Sequence, residues 1–390
     1  MGQPRTRPTW DCCAKKSRYL LPAHVVESIF KLLPLQDLVR TKALSSFWNS
    51  YTQFLLSARF PKAPWLMLPP NRPPTSCRFL NVQDNIEETT SEVFLESHCI
   101  GSSQGWLIFL DHSTFSPFLF NPFTNVRIHL PSLTTFYGDE ELDFLRRVRY
   151  FALRNGAKDP IKHYVQKAIL TAEPVGEYSV VMICDFCTAI IFYKNGESCW
   201  TELNQRHSYK DVICCQNEIY ALDSNNAIHI MSLAAEGRLR ESIDHTLKPF
   251  LDDCVLSRYI VESEGEILQV INFICCRAHK AKLFQVYKLD SENRRWVEVK
   301  SLRDQSLVIG RNHSVSVSTK DMKFCKGNSI YFTNDYWAFV PEANRLPYEY
   351  EFGAYTLEDG KISQVFEFDV ESLKNEQLLL PCWIVPHSRN

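Results

Sequence analysis

The sequence predicts a multidomain chain of α and β structure, a small three-helix module followed by an all-β propeller of about six to seven blades. Three observations carry this expectation. Residues 20 to 58 show an apolar period of three to four, a proline-rich stretch follows, and from about residue 77 the texture changes to short runs rich in Val, Ile, Phe, Tyr and Trp broken by turn residues. At 390 residues the chain is long for one ordinary domain and suits a small module joined to a large one.

In the first module Val25, Ile29 and Leu32/Leu33 define a helix, and Pro34 disfavours helix at the residue before it. Leu35, Leu38 and Val39 begin a second helix, with Asp37 in its first turn, where a carboxylate suits the helix dipole. Ser45 or Ser46 can cap a third that contains Trp48, Tyr51 and Leu55. Residues 1–17 read as a disordered leader, 18–60 as the helical module and 61–76 as a spacer. Within that spacer PKAPWLMLPPNRPP, from 61 to 74, holds six prolines in fourteen residues, which removes backbone donors and favours extended chain.

Residues 77–388 are expected to form the propeller. FYKNGESCWTEL around Trp200 matches VYKLDSENRRWVEV around Trp296, and LFNPFTNVRIHL occupies the same slot, so an apolar strand, a polar turn and a second strand recur. The two tryptophans are 96 positions apart, the length of two blades of about 40 to 50 residues. The interval from Arg127 to Trp200 is 73 positions and fits only if the charged segment from Asp139 to Lys162 is an insertion. Asn195-Gly196 marks a tight turn.

A formal net charge of −2 gives no general attraction to nucleic acid or anionic lipid, so the expected partner is protein. No apolar run reaches the roughly 18 residues of a membrane span. The nearest, Tyr178 to Tyr193, is interrupted by Asp185, and the N-terminus lacks an apolar signal core. These features predict a chain without stable membrane insertion, cytoplasmic and/or nuclear. The fourteen cysteines then read mostly as small buried hydrophobes.

No catalytic set, cofactor or metal site is expected. Gly101-Ser102-Ser103-Gln104-Gly105 fits the spacing of a hydrolase nucleophile elbow, but WLIFL follows it as a strand where the elbow needs a helix, so it reads as a turn entering a blade. Cys184 and Cys187 have zinc-ligand spacing, with Cys199, His207, Cys214 and Cys215 downstream. Along one strand their thiols would point to opposite faces, so they read as buried cysteines. Met1-Gly2-Gln3-Pro4-Arg5-Thr6 fits the myristoylation pattern, which makes Gly2, with Cys12 and Cys13, a lipidation candidate against a background of chance matches in a leader. Asn312-His313-Ser314 is a glycosylation sequon that a cytosolic chain would leave idle. Tyr336, Trp337 and Phe339 beside Asn334-Asp335 are candidate substrate contacts, set against ordinary inter-blade packing.

LPAHVVESIFKLLPLQDLVRTKALSSFWNSY, from residue 21, resembles an F-box. Leu21, Pro22, Val25, Ile29, Leu33, Pro34, Leu35, Asp37, Leu38, Arg40 and Trp48 fall on its pattern, while His24 replaces a common acidic residue and Ser45 a common cysteine. The remainder resembles the KIB-type β-propellers of plant F-box proteins through an ordered series: PWLMLPP, CRFLN, GSSQGWLIFLD, LFNPFTNVRIHLP, KAILTAEP, FYKNGESCWTEL and SIYFTND. The resemblance implies the substrate-recognition subunit of an SCF-type (Skp-cullin-F-box) ubiquitin ligase. A Skp-type adaptor would bind at Leu21, Pro22, Val25, Ile29, Leu33, Leu35, Leu38 and Trp48, the last fixing the third helix. The adaptor would bring a cullin and a RING protein, and the propeller would hold a protein substrate whose identity loops do not encode legibly. A module of about 40 residues without metal or disulfide is near the lower size limit for its own core, which makes a completing surface physically reasonable. Any one of these apolar residues can equally belong to an internal core. The alternative function is a ubiquitin-independent protein-binding propeller with a degenerate F-box.

Overall fold

The computed structural model describes residues 64–68, 76–81, 86–90, 93, 97–136, 150, 164–174, 176–184, 189–203, 207–233, 238–243, 255–274, 282–320, 325–333, 352–363, 365 and 382–385, with ten positions between 25 and 52.

Blade 1 contains β1 (Trp65–Met67), β2 (Ser76–Asn81) and β3 (Ile86–Thr90), and blade 2 contains β4 (Ser97–Ser103), β5 (Trp106–Asp111), β6 (Pro117–Asn121) and β7 (Val126–His129). Blade 3 is β8 (Val165–Leu170), β9 (Ser179–Cys184), β10 (Ala189–Lys194) and β11 (Thr201–Glu202). Blade 4 is β12 (Tyr209–Cys215), β13 (Glu218–Asp223), β14 (Ile228–Ser232) and β15 (Arg238–Ile243). Blade 5 is β16 (Val255–Ser263), β17 (Glu266–Ile274), β18 (Lys282–Asp290) and β19 (Arg295–Val299). Blade 6 is β20 (Gln305–Gly310), β21 (His313–Ser318), β22 (Ser329–Thr333), β23 (Phe352–Thr356) and β24 (Ile362–Ser363), and β25 (Cys382–Ile384) returns to blade 1.

Blades 2 to 5 are antiparallel meanders. Blade 6 departs from them, since its innermost strand β21 follows β20 and the chain then crosses so that β20 and β22 pair in parallel. The ring closes at blade 1, where β25 lies against β1, and innermost strands β4, β8, β12, β16, β21 and β25 neighbour one another in cyclic order. The described blades therefore number six.

The middle strands explain the continuous apolar runs. Along β5, Leu107 and Phe109 enter the core between blades 1 and 2, while Ile108 and Leu110 enter the core between blades 2 and 3. Strand alternation thus feeds two cores at once, and six apolar clusters fill the six junctions of the ring. Outer strands β7, β11 and β19 are largely exposed.

Trp200 lies in blade 3 and Trp296 in blade 5, so their spacing does span two blades. Arg127 is on the last strand of blade 2, and the long interval to Trp200 holds one blade plus the segment between Phe136 and Tyr164. The spacer needs correction. Trp65–Met67 inside residues 61–76 is a propeller strand, buried and paired with both β2 and β25, so the propeller begins at Trp65 and not at 77. Pro64 precedes that strand without interrupting its ladder, and the proline-rich sequence around it hid three paired residues.

Inner strands approach closely at Gly101, which pairs with Ala168. A Cβ there would sit 2.0 Å from the Ala168 carbonyl oxygen, so only glycine lets blades 2 and 3 meet. The apparent nucleophile elbow is thus the end of β4 and a two-residue hairpin at Gln104-Gly105, both with positive φ. Gln216-Asn217 and Glu264-Gly265 make the same hairpin at the same place in blades 4 and 5.

Candidate functional site

The first helix of the N-terminal segment carries apolar residues on two sides. Val25 and Ser28 to Phe30 are helical, and Leu33 N–H donates to Ile29 O at 3.1 Å, the i to i−4 bond of an α-helix. Phe30 is buried and stacks on Trp48 with ring centroids 5.3 Å apart. With Leu33, this pair packs against propeller residues that include Trp65, Phe79, Phe109 and Phe123. A hydroxyl contact of 2.6 Å between Thr41 and Thr52 ties the turn at 41 to the helical residue 52. Successive helical residues are separated by about 100°, so Val25 and Ile29 present a different side from Phe30. Ile29 is 41% exposed and Leu44 is 70% exposed.

Val25, Ile29, Leu33 and Trp48 are thus the adaptor candidates among the described residues, and the structure sets Leu33 and Trp48 toward the propeller. Leu21, Pro22, Leu35 and Leu38 fall outside the described residues, as do Gly2, Cys12 and Cys13. Tyr336, Trp337 and Phe339 fall in the connection between β22 and β23, also outside them.

A cavity of about 250 Å³ opens in the middle of the ring, lined by Ser102, Ser103, Lys167, Thr171, Glu262 and His313 among others. Lys167 and Asp211 form a buried ion pair at 2.5 Å on its wall. Asp211 also accepts the Ile260 amide at 2.7 Å, and Lys167 donates to Ser314 Oγ at 3.2 Å, so this pair links blades 3, 4, 5 and 6. His313 Nδ1 donates to the Ser102 carbonyl at 2.5 Å. Burial, then the neighbouring positive charge of Lys167, lowers the His313 pKa to about 4 against the opposing pull of that hydrogen bond.

Asn312, the sequon residue, is buried. Its side chain donates to Trp383 O at 3.0 Å and accepts from Trp383 N at 3.3 Å, while its carbonyl accepts the Ser102 amide at 3.0 Å. It therefore joins blades 6, 1 and 2. Of the cysteines expected as core, Cys77, Cys184, Cys325 and Cys382 are buried, Cys99, Cys214 and Cys215 half-buried and Cys199 exposed. Burial, and then Cys215 beside it, pushes the Cys214 thiol up to about 11, which leaves it a protonated packing group.

One donor cluster was not assembled by the sequence reading, which placed His207 only beside the cysteines and did not name Asp223 or His229. His207 precedes β12, Asp223 ends β13 and His229 lies in β14, and their ligand atoms all come within 4.8 Å of one another. The signal was not local, since only the pairing of three strands assembles it. Burial alone would raise the Asp223 pKa. Hydrogen bonds from His229 and from the Ala227 and Asn225 amides outweigh it and hold the carboxyl below its usual value.

Among the described residues the architecture is a six-bladed propeller, with Phe30, Leu33 and Trp48 of the N-terminal segment packed on its blade 1 and 2 junction. The KIB1-4 β-propeller family model matches residues 79–362, and the chain belongs to that family. It is 24% identical over 328 residues to the F-box/kelch-repeat protein KIB1 of Arabidopsis thaliana, covering 81% of this chain and 77% of that protein. Similarity to the F-box protein KIB4 of the same plant is 23% over 343 residues, covering 83% and 84%. F-box protein KIB3 matches at 22% over 332 residues, covering 80% and 70%. The chain is accordingly a plant-type F-box protein with a KIB-type propeller. Among the described residues no helix is long and apolar enough to cross a membrane.

Proposed function

We propose that this chain is the substrate-recognition subunit of an SCF-type ubiquitin ligase. The supporting observation is the two-sided N-terminal helix: Phe30 is buried with the propeller while Ile29, one residue away, stays exposed on another side. An apolar residue kept out of an available core leaves surface for a second protein to cover. That protein is a Skp-type adaptor, bound through Val25 and Ile29 with Leu21, Pro22, Leu35 and Leu38 in support. The propeller holds the protein substrate, with Tyr336, Trp337 and Phe339 as proposed contacts.

The chain itself then performs no bond chemistry. Holding substrate and ligase scaffold on one body raises the effective concentration of substrate lysines at a conjugating enzyme. Affinity purification with the proteasome inhibited tests this reading, comparing the intact chain with a Leu21→Ala, Pro22→Ala variant and an Ile29→Asp variant. Adaptor and cullin are expected to vanish from both variants while captured substrate remains. Undiminished recovery of adaptor by the variants would refute the assignment.

A further inference from the structure

We propose that His207, Asp223 and His229 on the rim of blade 4 form a binding site for one divalent transition-metal ion of the zinc class. Two imidazoles and a carboxylate are donors that such ions take, and three protein ligands leave a fourth position for water. Asp223 Oδ2 lies 3.1 Å from His229 Nε2 and 3.8 Å from His207 Nδ1. Bonds of about 2.0–2.1 Å to one tetrahedral ion place two donors roughly 3.3 Å apart, so the set is close to closing on a single ion.

The surroundings hold the ligands in that pose. Asp223 Oδ1 accepts the Asn225 amide at 2.9 Å and the Ala227 amide at 2.8 Å, which fixes the carboxylate with Oδ2 facing the two rings. His229 Nδ1 lies 3.5 Å from Ser242 Oγ, so the ring nitrogen remote from the ion has an orienting neighbour. Tyr209 meets both rings edge-on and walls the cluster on one side.

Accessibility is divided between the ligands. The Asp223 and His229 side chains are each 4% exposed, whereas His207 is 35% exposed and sits just outside β12. A buried pair with one exposed arm gives an ion a way in, and a small turn of the His207 ring completes the set. His229 Nε2 lies 3.1 Å from Asp223 Oδ2 and donates to it; an ion at Nε2 takes the place of that hydrogen, which shifts to Nδ1 beside Ser242 Oγ. The site lies at the end of blade 4 opposite the Gln216-Asn217 hairpin, where an occupied rim would brace the start of β12. This inference stands apart from the ligase reading, since adaptor binding involves none of these residues.

The test uses the full chain, stripped with chelator and titrated with zinc and separately with cobalt. The expected result is one equivalent of zinc with a rise in melting temperature, and a visible cobalt spectrum of nitrogen and oxygen ligation without thiolate charge-transfer bands. His207→Ala is expected to abolish binding while keeping the melting temperature of the chelated protein, because the residue is half-exposed and outside the strands. Ser242→Ala is expected to weaken binding by about 10- to 100-fold, the usual effect of removing an outer-shell partner. No zinc uptake would reduce the cluster to a hydrogen-bonded network and overturn the proposal. Unchanged uptake by His207→Ala would remove His207 from the ligand set, and a thiolate cobalt spectrum in the unmutated chain would place the ion on cysteines; either result would overturn the proposal.

Discussion

Asn312 satisfies both backbone groups of Trp383, a residue 71 positions away, at the joint where the ring closes. Asn312→Ala would remove two hydrogen bonds from the buried Trp383 backbone, each worth about 0.5–1.5 kcal/mol, and is expected to lower the urea midpoint by the corresponding amount. As a sequence its triplet reads only as a sequon, because nothing local names a partner so distant. His313 next to it makes a pH prediction. Its folded pKa of about 4 lies below the unfolded value near 6.5, so the folded chain resists a proton that the unfolded chain accepts. Stability from this residue is complete above about pH 6.5 and is lost as pH falls toward 4, in total about 3 kcal/mol. Between pH 6.5 and 5, above most carboxylate titration, the melting temperature should fall for the natural chain and stay flatter for His313→Gln. Equal slopes would contradict the buried neutral assignment.

At the scale of elements, the N-terminal helix and the blade hairpins show different degrees of legibility. Apolar period alone marked Val25, Ile29 and Leu33 as one helical stripe, yet it could not separate the side that meets the propeller from the side that meets solvent. Phe30 is the residue that separates them, and it lies outside the F-box pattern that drew attention to its neighbours. Phe30→Ala is expected to destabilise the chain by about 3–5 kcal/mol, read by denaturant unfolding, whereas Ile29→Asp should leave stability nearly unchanged. The repeated hairpins were partly visible. Asn195-Gly196 was a readable turn, and the structure makes it one through Glu197 N–H to Lys194 O at 3.0 Å with Gly196 at positive φ. Gln104-Gly105, Gln216-Asn217 and Glu264-Gly265 share no such dipeptide, so their equivalence emerges only from strand register.

Across the whole molecule, tryptophan spacing indicated propeller repetition, but blade count depended on closure. β1 is three residues between prolines and β25 is three residues near the C-terminus, and neither carries a strand pattern long enough to read alone. The buried Lys167–Asp211 pair binds four blades together, and it too is assembled from residues 44 positions apart. Lys167→Met should cost about 3–5 kcal/mol by leaving Asp211 buried without its cation, and adding Asp211→Asn should recover part of that loss in a double-mutant cycle. Such a closed ring can carry a docked helix as a fixed part of its surface, with Phe30 anchored and Ile29 held outward. The most direct measurement is the affinity of the purified full chain for a Skp-type adaptor, compared with Ile29→Asp at matched melting temperature. A loss of about tenfold or more is the predicted result; equal affinity for the two proteins would contradict the account.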